Sequence, residues 1–594
     1  GGVVGAAASK TQVPPKARCG CWVPQPDSGA HSKSSRLPPQ VKIASYGKKD
    51  YTIKKRCGVQ AAGQDAGDET MKRRDFCKGL AVTFAAGTLA PAAALPQAGA
   101  ATALVGRAVP DDYYTLWYRS DRCGADLRHD YYYSDSLFDH PATEYDNQLA
   151  LATLGMAAAA DCTWESDQRY WMEGEVGRAD HIRDAFAKLG FTEVQLFNYT
   201  HSLNDTPDTV GCAIARKTLV RGGRQVTIIG AFLRGSGYGA EWSGNLHAGP
   251  GSAHVGFVTA ARQLVEKIRA YVQASAKRQP LGTLKLWMGG YSRGGGVANL
   301  VAARLPAVLP QLEKKNTFVY TFAAPASLTA ADCPDLQQDY DNNHAADGSL
   351  KKNWGTSNIF NIVSSGDVIP RILPAEWGFY RNGNDRFLPS TVIPEELQAL
   401  NDRSAGMEGT PIDFGRLAVS EETDAVLRSM MDLFCDRQTY YKGYEDAMRC
   451  MLQCATTRTE EEVTRGIVRD DAAVVAQLRS MELMQRFPQE KVERCVQAAS
   501  ALSRPVLEKL GSAVPLQAQQ IVIPMLAVGL CFELQPETVQ LVADFVLSTI
   551  TVKGQLSGIL KTVLCHFQEN YITVLEAYDP ADHGMTPYTR REEL

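Results

Sequence analysis

Leu284-Lys285-Leu286-Trp287-Met288-Gly289-Gly290-Tyr291-Ser292-Arg293-Gly294-Gly295-Gly296 is the stretch whose reading decides the fold. Leu284, Leu286 and Met288 alternate with Lys285 and Trp287, which is the period of a strand. Val297, Leu300, Val301 and Leu305 then fall at helical spacing. Between strand and helix sits Gly290-x-Ser292-x-Gly294, the G-x-S-x-G pattern of a nucleophile elbow. A serine on so tight a turn is held in a strained backbone conformation. Its neighbours two positions either side are pressed together, so glycine at 290 and 294 avoids a side-chain clash. The hydroxyl stands exposed over a helix N-terminus, whose backbone N–H groups favour negative charge. The flanking strand and helix separate this reading from a Gly-rich turn with an incidental serine.

Upstream, residues 209–233 read as a β-hairpin, with Val210, Cys212 and Ile214 alternating on one arm and Gly222-Gly223 as the turn. The second arm, Val226 to Leu233, is apolar enough for a buried sheet. It runs into Leu233-Arg234-Gly235-Ser236-Gly237, a Gly-rich loop placed where a second oxyanion donor is needed. Ser236 has a backbone N–H and a hydroxyl to offer there. His254 to Ala274 is an amphipathic helix with Phe257, Ala261, Leu264, Ile268 and Val272 near one face. A helix joining the two strands makes a βαβ crossover, so they are expected to be parallel. Further upstream, helices are expected over Ala142–Ala160 and Asp180–Leu189, the latter ending at Gly190.

Downstream, Thr317 to Phe322 and Asn358 to Val363 read as strands. The second opens into Ser364-Ser365-Gly366-Asp367-Val368-Ile369-Pro370, so Asp367 lies just past a strand end, two strands after the serine. A serine hydroxyl needs an imidazole base, and the base needs a carboxylate to fix its tautomer. Chain order around such an elbow is Ser, then Asp or Glu, then His. Only His566 and His583 follow Asp367. His566 precedes a helical pattern through Ile572 and Leu575, whereas His583 lies in a polar tail near the C-terminus. His566 is the preferred base, with His583 as the alternative.

The rest of the chain sets bounds. At 594 residues, 44% of them apolar, it is long for one domain. A formal net charge of −4 gives no argument for a nucleic-acid partner. Fourteen cysteines show no repeated C-x-x-C pairs and no zinc spacing, which suggests neither a metal framework nor a small disulfide scaffold; attack by a serine on an acyl carbonyl needs no cofactor or metal. Cys450 and Cys454, one helical turn apart, read as buried structural thiols. Residues 395–560 read as almost entirely helical, a block that would cap the site. Residues 1–70 are rich in Pro, Gly, Ser and Lys without periodicity and read as disordered or as an over-extended reading frame. At Met71-Lys72-Arg73-Arg74-Asp75-Phe76 a basic start begins, followed by an apolar Leu80–Leu95 and by Ala98-Gly99-Ala100. Residues 71–103 thus have the three parts of an export signal, similar to the twin-arginine type.

Taken together, the chain resembles the class 3 (fungal-type) lipase family over roughly residues 105–390 and 560–580. The resemblance rests on Arg234-Gly235-Ser236, Gly290-Tyr291-Ser292-Arg293-Gly294-Gly295, Ala323-Ala324-Pro325, Asp367-Val368-Ile369-Pro370 and His566-Phe567-Gln568-Glu569-Asn570-Tyr571. It implies an α/β-hydrolase fold with a mostly parallel sheet, here carrying a large helical insertion before the histidine. The expected division is a core over 104–394, the insertion over 395–560 and a return to the core over 561–594. It also implies Ser292 as nucleophile, Asp367 as acid, His566 as base, and an oxyanion hole from Ser236 and the N–H of Arg293. The implied substrate is an acyl ester or lipid, with transient contact at a lipid surface. Thioesterase, phospholipase or peptidase activity on the same machinery, a non-catalytic surface binding protein, and a helical block that itself binds a partner are the alternatives. Tyr291 and Arg293 stand where the family more often has His and Leu, a departure that bears on pocket polarity.

Overall fold

The computed structural model describes residues 108–119, 126–161, 174–175, 179–201, 207–236, 239–250, 254–329, 356–364, 366–373, 377–388, 436–457, 465–510, 516–539 and 565–577. All lie in the unit Gly99–Leu594. The expected disordered segment 1–70 and export signal 71–103 therefore fall outside the described residues, as do His583 and the stretches 395–435 and 540–560.

The first elements are an aromatic antiparallel hairpin, β1 (Asp112–Arg119) and β2 (Asp126–Tyr133). Helix α1 (Asn147–Ala160) is apolar all round, and every residue from Leu149 to Ala160 is buried, as such a helix requires. It starts at Asn147 rather than the expected Ala142. Asp146 sits in extended backbone and accepts the N–H of Leu149 at 2.7 Å, which fixes the start. Helix α2 (Ala179–Lys188) ends near Gly190 at φ +78°. The strands β3 (Thr192–Phe197), β4 (Cys212–Arg221) and β5 (Arg224–Leu233) follow. Gly222 and Gly223, at φ +54° and +74°, make the two-residue turn between β4 and β5.

Helix α3 (Val255–Arg278) crosses to β6 (Thr283–Tyr291), which runs parallel to β5 as the crossover requires. After β6 come helix α4 (Arg293–Val308), β7 (Thr317–Phe322), β8 (Ile359–Ser364) and β9 (Asn384–Leu388). The seven-stranded sheet has the order β9-β8-β7-β6-β5-β4-β3. It is parallel from β9 to β5 and antiparallel from β5 to β3. This is the mostly parallel α/β-hydrolase sheet that the sequence leads one to expect.

Both faces of the sheet are covered. Ile229, Ala231, Leu286, Met288 and Val319 pack with α3 and α4. Phe232, Trp287, Phe318 and Tyr320 pack with α1 and the first hairpin on the other face. The alternation in β6 therefore separates two buried faces rather than a buried one from a wet one. Trp287 is fully buried, and its indole N–H donates to Thr153 Oγ1 at 2.7 Å. After β9 the described elements are helical: α5 (Glu445–Thr456), α6 (Asp471–Ser480), α7 (Gln489–Leu510) and α8 (Leu516–Cys531). They share an apolar cluster that includes Met451, Leu478, Val496, Ile521 and Val528. Cys450 and Cys454 are buried within it, and burial pushes the Cys450 thiol up to about 12. The chain then returns to the sheet through α9 (Gln568–Ala577), whose Tyr571, Ile572 and Leu575 join the cluster around α1. Among the described residues no helix is long and apolar enough to cross a membrane.

Candidate active site

Ser292 ends the turn between β6 and α4 at φ +53°, ψ −125°. A non-glycine residue in that region is strained, and its surroundings must hold it there. The Ser292 N–H donates to Phe322 O at 2.9 Å, and its carbonyl accepts from the Gly296 N–H at 3.0 Å. A Cβ on Gly290 would stand 2.5 Å from the Gly294 carbonyl carbon, and one on Gly294 would stand 2.4 Å from Leu233 O. The end of β5 thus presses directly on the elbow, and both glycines are sterically required.

The structure brings Ser292, His566 and Asp367 together from three separate segments. His566 Nε2 lies 2.8 Å from Ser292 Oγ, and His566 Nδ1 lies 2.8 Å from Asp367 Oδ2. Asp367 is fully buried, while the His566 side chain is 16% exposed. With the Nδ1–H donated to the Asp367 carboxylate, Nε2 is left as acceptor for the serine proton. Asp367 is held in turn. Its Oδ1 accepts the Ile369 N–H at 2.9 Å and its Oδ2 accepts the Tyr571 hydroxyl at 2.8 Å. Burial first, and the Asp367 charge second, push the Tyr571 phenol well above its ordinary range, so it stays a donor. The same phenol oxygen accepts the Ser364 N–H at 3.0 Å. Tyr291 donates its hydroxyl to the His566 carbonyl at 2.6 Å.

On the other side of the elbow, Ser236 Oγ accepts from Asn245 Nδ2 at 2.8 Å. Gly237, its neighbour, lies outside the described residues. Arg293 is the first residue of α4, so its N–H has no acceptor within the helix. Its side chain is 1% exposed. The guanidinium donates to Asn245 Oδ1 at 2.8 Å, Thr209 O at 2.9 Å and Pro207 O at 3.0 Å. Tyr291 and Arg293 are therefore both buried residues whose side chains hydrogen-bond the scaffold. Arg234 and Glu241 form a fully buried pair, with contacts of 2.5 and 2.9 Å, that shapes the loop around Ser236. Buried His254 caps α3: Nδ1 accepts the Phe257 N–H at 3.3 Å and Nε2–H donates to Asn245 O at 3.0 Å. Burial, helped by the Arg293 charge, holds the His254 pKa well below the usual imidazole value, so the ring is neutral.

Tyr571, Asn245, Asp161 and Gln568 were not singled out from sequence. Tyr571 and Gln568 lie within the motif that carries His566, but their partners are distant in the chain and no spacing reveals them. Among the described residues no group of three or more His, Cys, Asp or Glu could hold a metal ion.

A strained serine at a strand–helix elbow, hydrogen-bonded to a histidine–aspartate pair on a mostly parallel sheet, is the arrangement of α/β-hydrolases. Residues 236–377 match the model of the lipase (class 3) family, and at that level the chain is a lipase-like carboxylic ester hydrolase. No curated protein matches the chain. Among solved structures it is similar to the Rhizomucor miehei lipase–propeptide complex, at 20% identity over 41% of this chain and 68% of that one, TM-score 0.28. Lipase II from Rhizopus niveus is 16% identical over 41% and 80%, TM-score 0.27. The lipase from Rhizopus microsporus var. chinensis is 15% identical over 49% and 85%, TM-score 0.27.

Proposed function

We propose that the chain is an exported serine ester hydrolase whose substrate is an acyl ester of the lipid class. Ser292 Oγ attacks the acyl carbonyl while His566 Nε2 takes its proton, and Asp367 stabilises the imidazolium. The tetrahedral oxyanion is held by the N–H of Arg293 and by Ser236. The alcohol leaves with the proton from His566, and water, activated in the same way, releases the acid from the acyl-enzyme. No step calls for a metal or cofactor.

The observation that carries this reading is the run of two 2.8 Å hydrogen bonds from Ser292 Oγ through His566 to Asp367 Oδ2. Its test is a substrate panel: short soluble esters, emulsified triacylglycerol, acyl thioesters, phospholipids and peptides. Hydrolysis of carboxylic esters ahead of the other classes is expected. Turnover confined to thioesters, phospholipids or peptides would transfer the machinery to that class, and turnover of none would favour a binding protein. Export rests on residues 71–103 alone; changing Arg73 and Arg74 to Lys is expected to retain the protein inside the cell.

A further inference from the structure

We propose that Asp161 is a positioning residue that couples the oxyanion loop to the segment bearing His566; this rests on the ester-hydrolase reading above. Asp161 closes α1 and is 8% exposed. Its Oδ1 accepts the Gly235 N–H at 2.7 Å. Its Oδ2 accepts from Gln568 Nε2. Gly235 immediately precedes Ser236, and Gln568 is two residues past His566. One buried carboxylate therefore holds the backbone of the loop before Ser236 and the Gln568 side chain just past His566.

The geometry makes the grip specific. A Cβ on Gly235 would stand 2.7 Å from Asp161 Oδ1, so the carboxylate sits flat against the loop backbone with no room for a side chain. Fixing the Gly235 N–H fixes the Arg234–Gly235 peptide plane, one residue before Ser236. On the other arm, Gln568 opens α9, and His566 is additionally held through its carbonyl by Tyr291. Carboxylate hydrogen bonds to N–H donors are roughly twice as strong as neutral ones. In a buried site they resist the small displacements to which oxyanion geometry is sensitive. Asp161 touches neither substrate nor reacting atoms, so it acts through kcat.

Gln568 Oε1 is buried and finds no hydrogen-bond partner among the described residues, which supplies a discriminating variant. In Asp161→Asn the new amide still offers an oxygen to Gly235. Its N–H₂ can donate to Gln568 Oε1 once that amide turns over. Asp161→Ala removes both arms, and Gln568→Ala removes only the histidine arm.

The experiment is steady-state hydrolysis of a soluble short-chain ester, with the rate of fluorophosphonate labelling at Ser292, for wild type, the three single variants and Asp161→Ala/Gln568→Ala. Asp161→Ala is expected to lose about 10- to 100-fold in kcat and in labelling rate, as a displaced oxyanion donor would. Its KM is expected to stay within about threefold of wild type. Asp161→Asn is expected to recover kcat to within about fivefold of wild type. The double variant is expected to be no slower than Asp161→Ala, because one carboxylate serves both arms. Wild-type kcat in Asp161→Ala, a loss confined to KM, or losses that multiply in the double variant would each overturn the coupling. If Asp161→Ala does not fold, Gln568→Ala decides, and a wild-type kcat there overturns it. Absence of labelling in the wild type would instead refute the ester-hydrolase reading itself.

Discussion

Gly294→Ala tests the packing on which the elbow depends. The added Cβ would lie 2.4 Å from Leu233 O and 2.5 Å from Arg234 O, about 1 Å inside ordinary contact. Both obstacles are backbone atoms at the end of β5, so no side chain can swing away. Either α4 or the loop leading to Ser236 must move by a comparable distance. A displacement of about 1 Å in an active site costs about a hundredfold in rate, or about 2.7 kcal/mol of barrier. Overpacking costs about 1–3 kcal/mol of stability as well. Gly296→Ala is the control, because its Cβ would meet Phe257 and Pro325 at 3.4 and 3.5 Å, which is ordinary contact. The assay is kcat on a soluble ester beside denaturant unfolding for both variants. A Gly294→Ala protein with wild-type kcat and midpoint would refute the reasoning, because the oxyanion loop would then not bear on the elbow.

Two further outcomes follow from the residues around the site. Tyr571→Phe removes the hydroxyl that joins Asp367 Oδ2 to the Ser364 N–H, and is expected to lower kcat about tenfold and stability by about 1–2 kcal/mol, read by kinetics and unfolding. Because the His254 pKa is lowered on folding, the unfolded chain binds more protons below the imidazole value of 6.5. The stability it confers is complete above that value and is lost as the pH falls below it, by up to about 1.4 kcal/mol per pH unit. Denaturation between pH 5 and 7 measures that slope, and His254→Asn, which keeps a helix cap, is expected to flatten it.

The elbow, its helix and the parallel strands were legible because each is local: a period of two, three glycines after the serine, a period near 3.6. The order of serine, aspartate and histidine was legible because so few histidines follow Asp367. What was not legible is long-range. The Asp161 carboxylate meets Gly235 and Gln568 across 74 and 407 positions. Asn245 is tied to Arg293 across 48. Such pairings depend on how elements stack, and no spacing rule encodes them. The bearing of the two departures from the family's usual residues on the pocket was not legible for the same reason. Tyr291 and Arg293 look like pocket residues by position, yet each turns inward to hydrogen-bond the scaffold. The start of α1 was placed too early because Ala142 extends the apolar pattern, whereas Asp146 supplies the cap that stops it.

The central claim is that Ser292 is the nucleophile. Intact-mass analysis after incubation with a fluorophosphonate probe tests it most directly, wild type beside Ser292→Ala. One adduct per chain on Ser292 in the wild type, and none in the variant, is the result predicted. Equal labelling of both proteins would contradict the account.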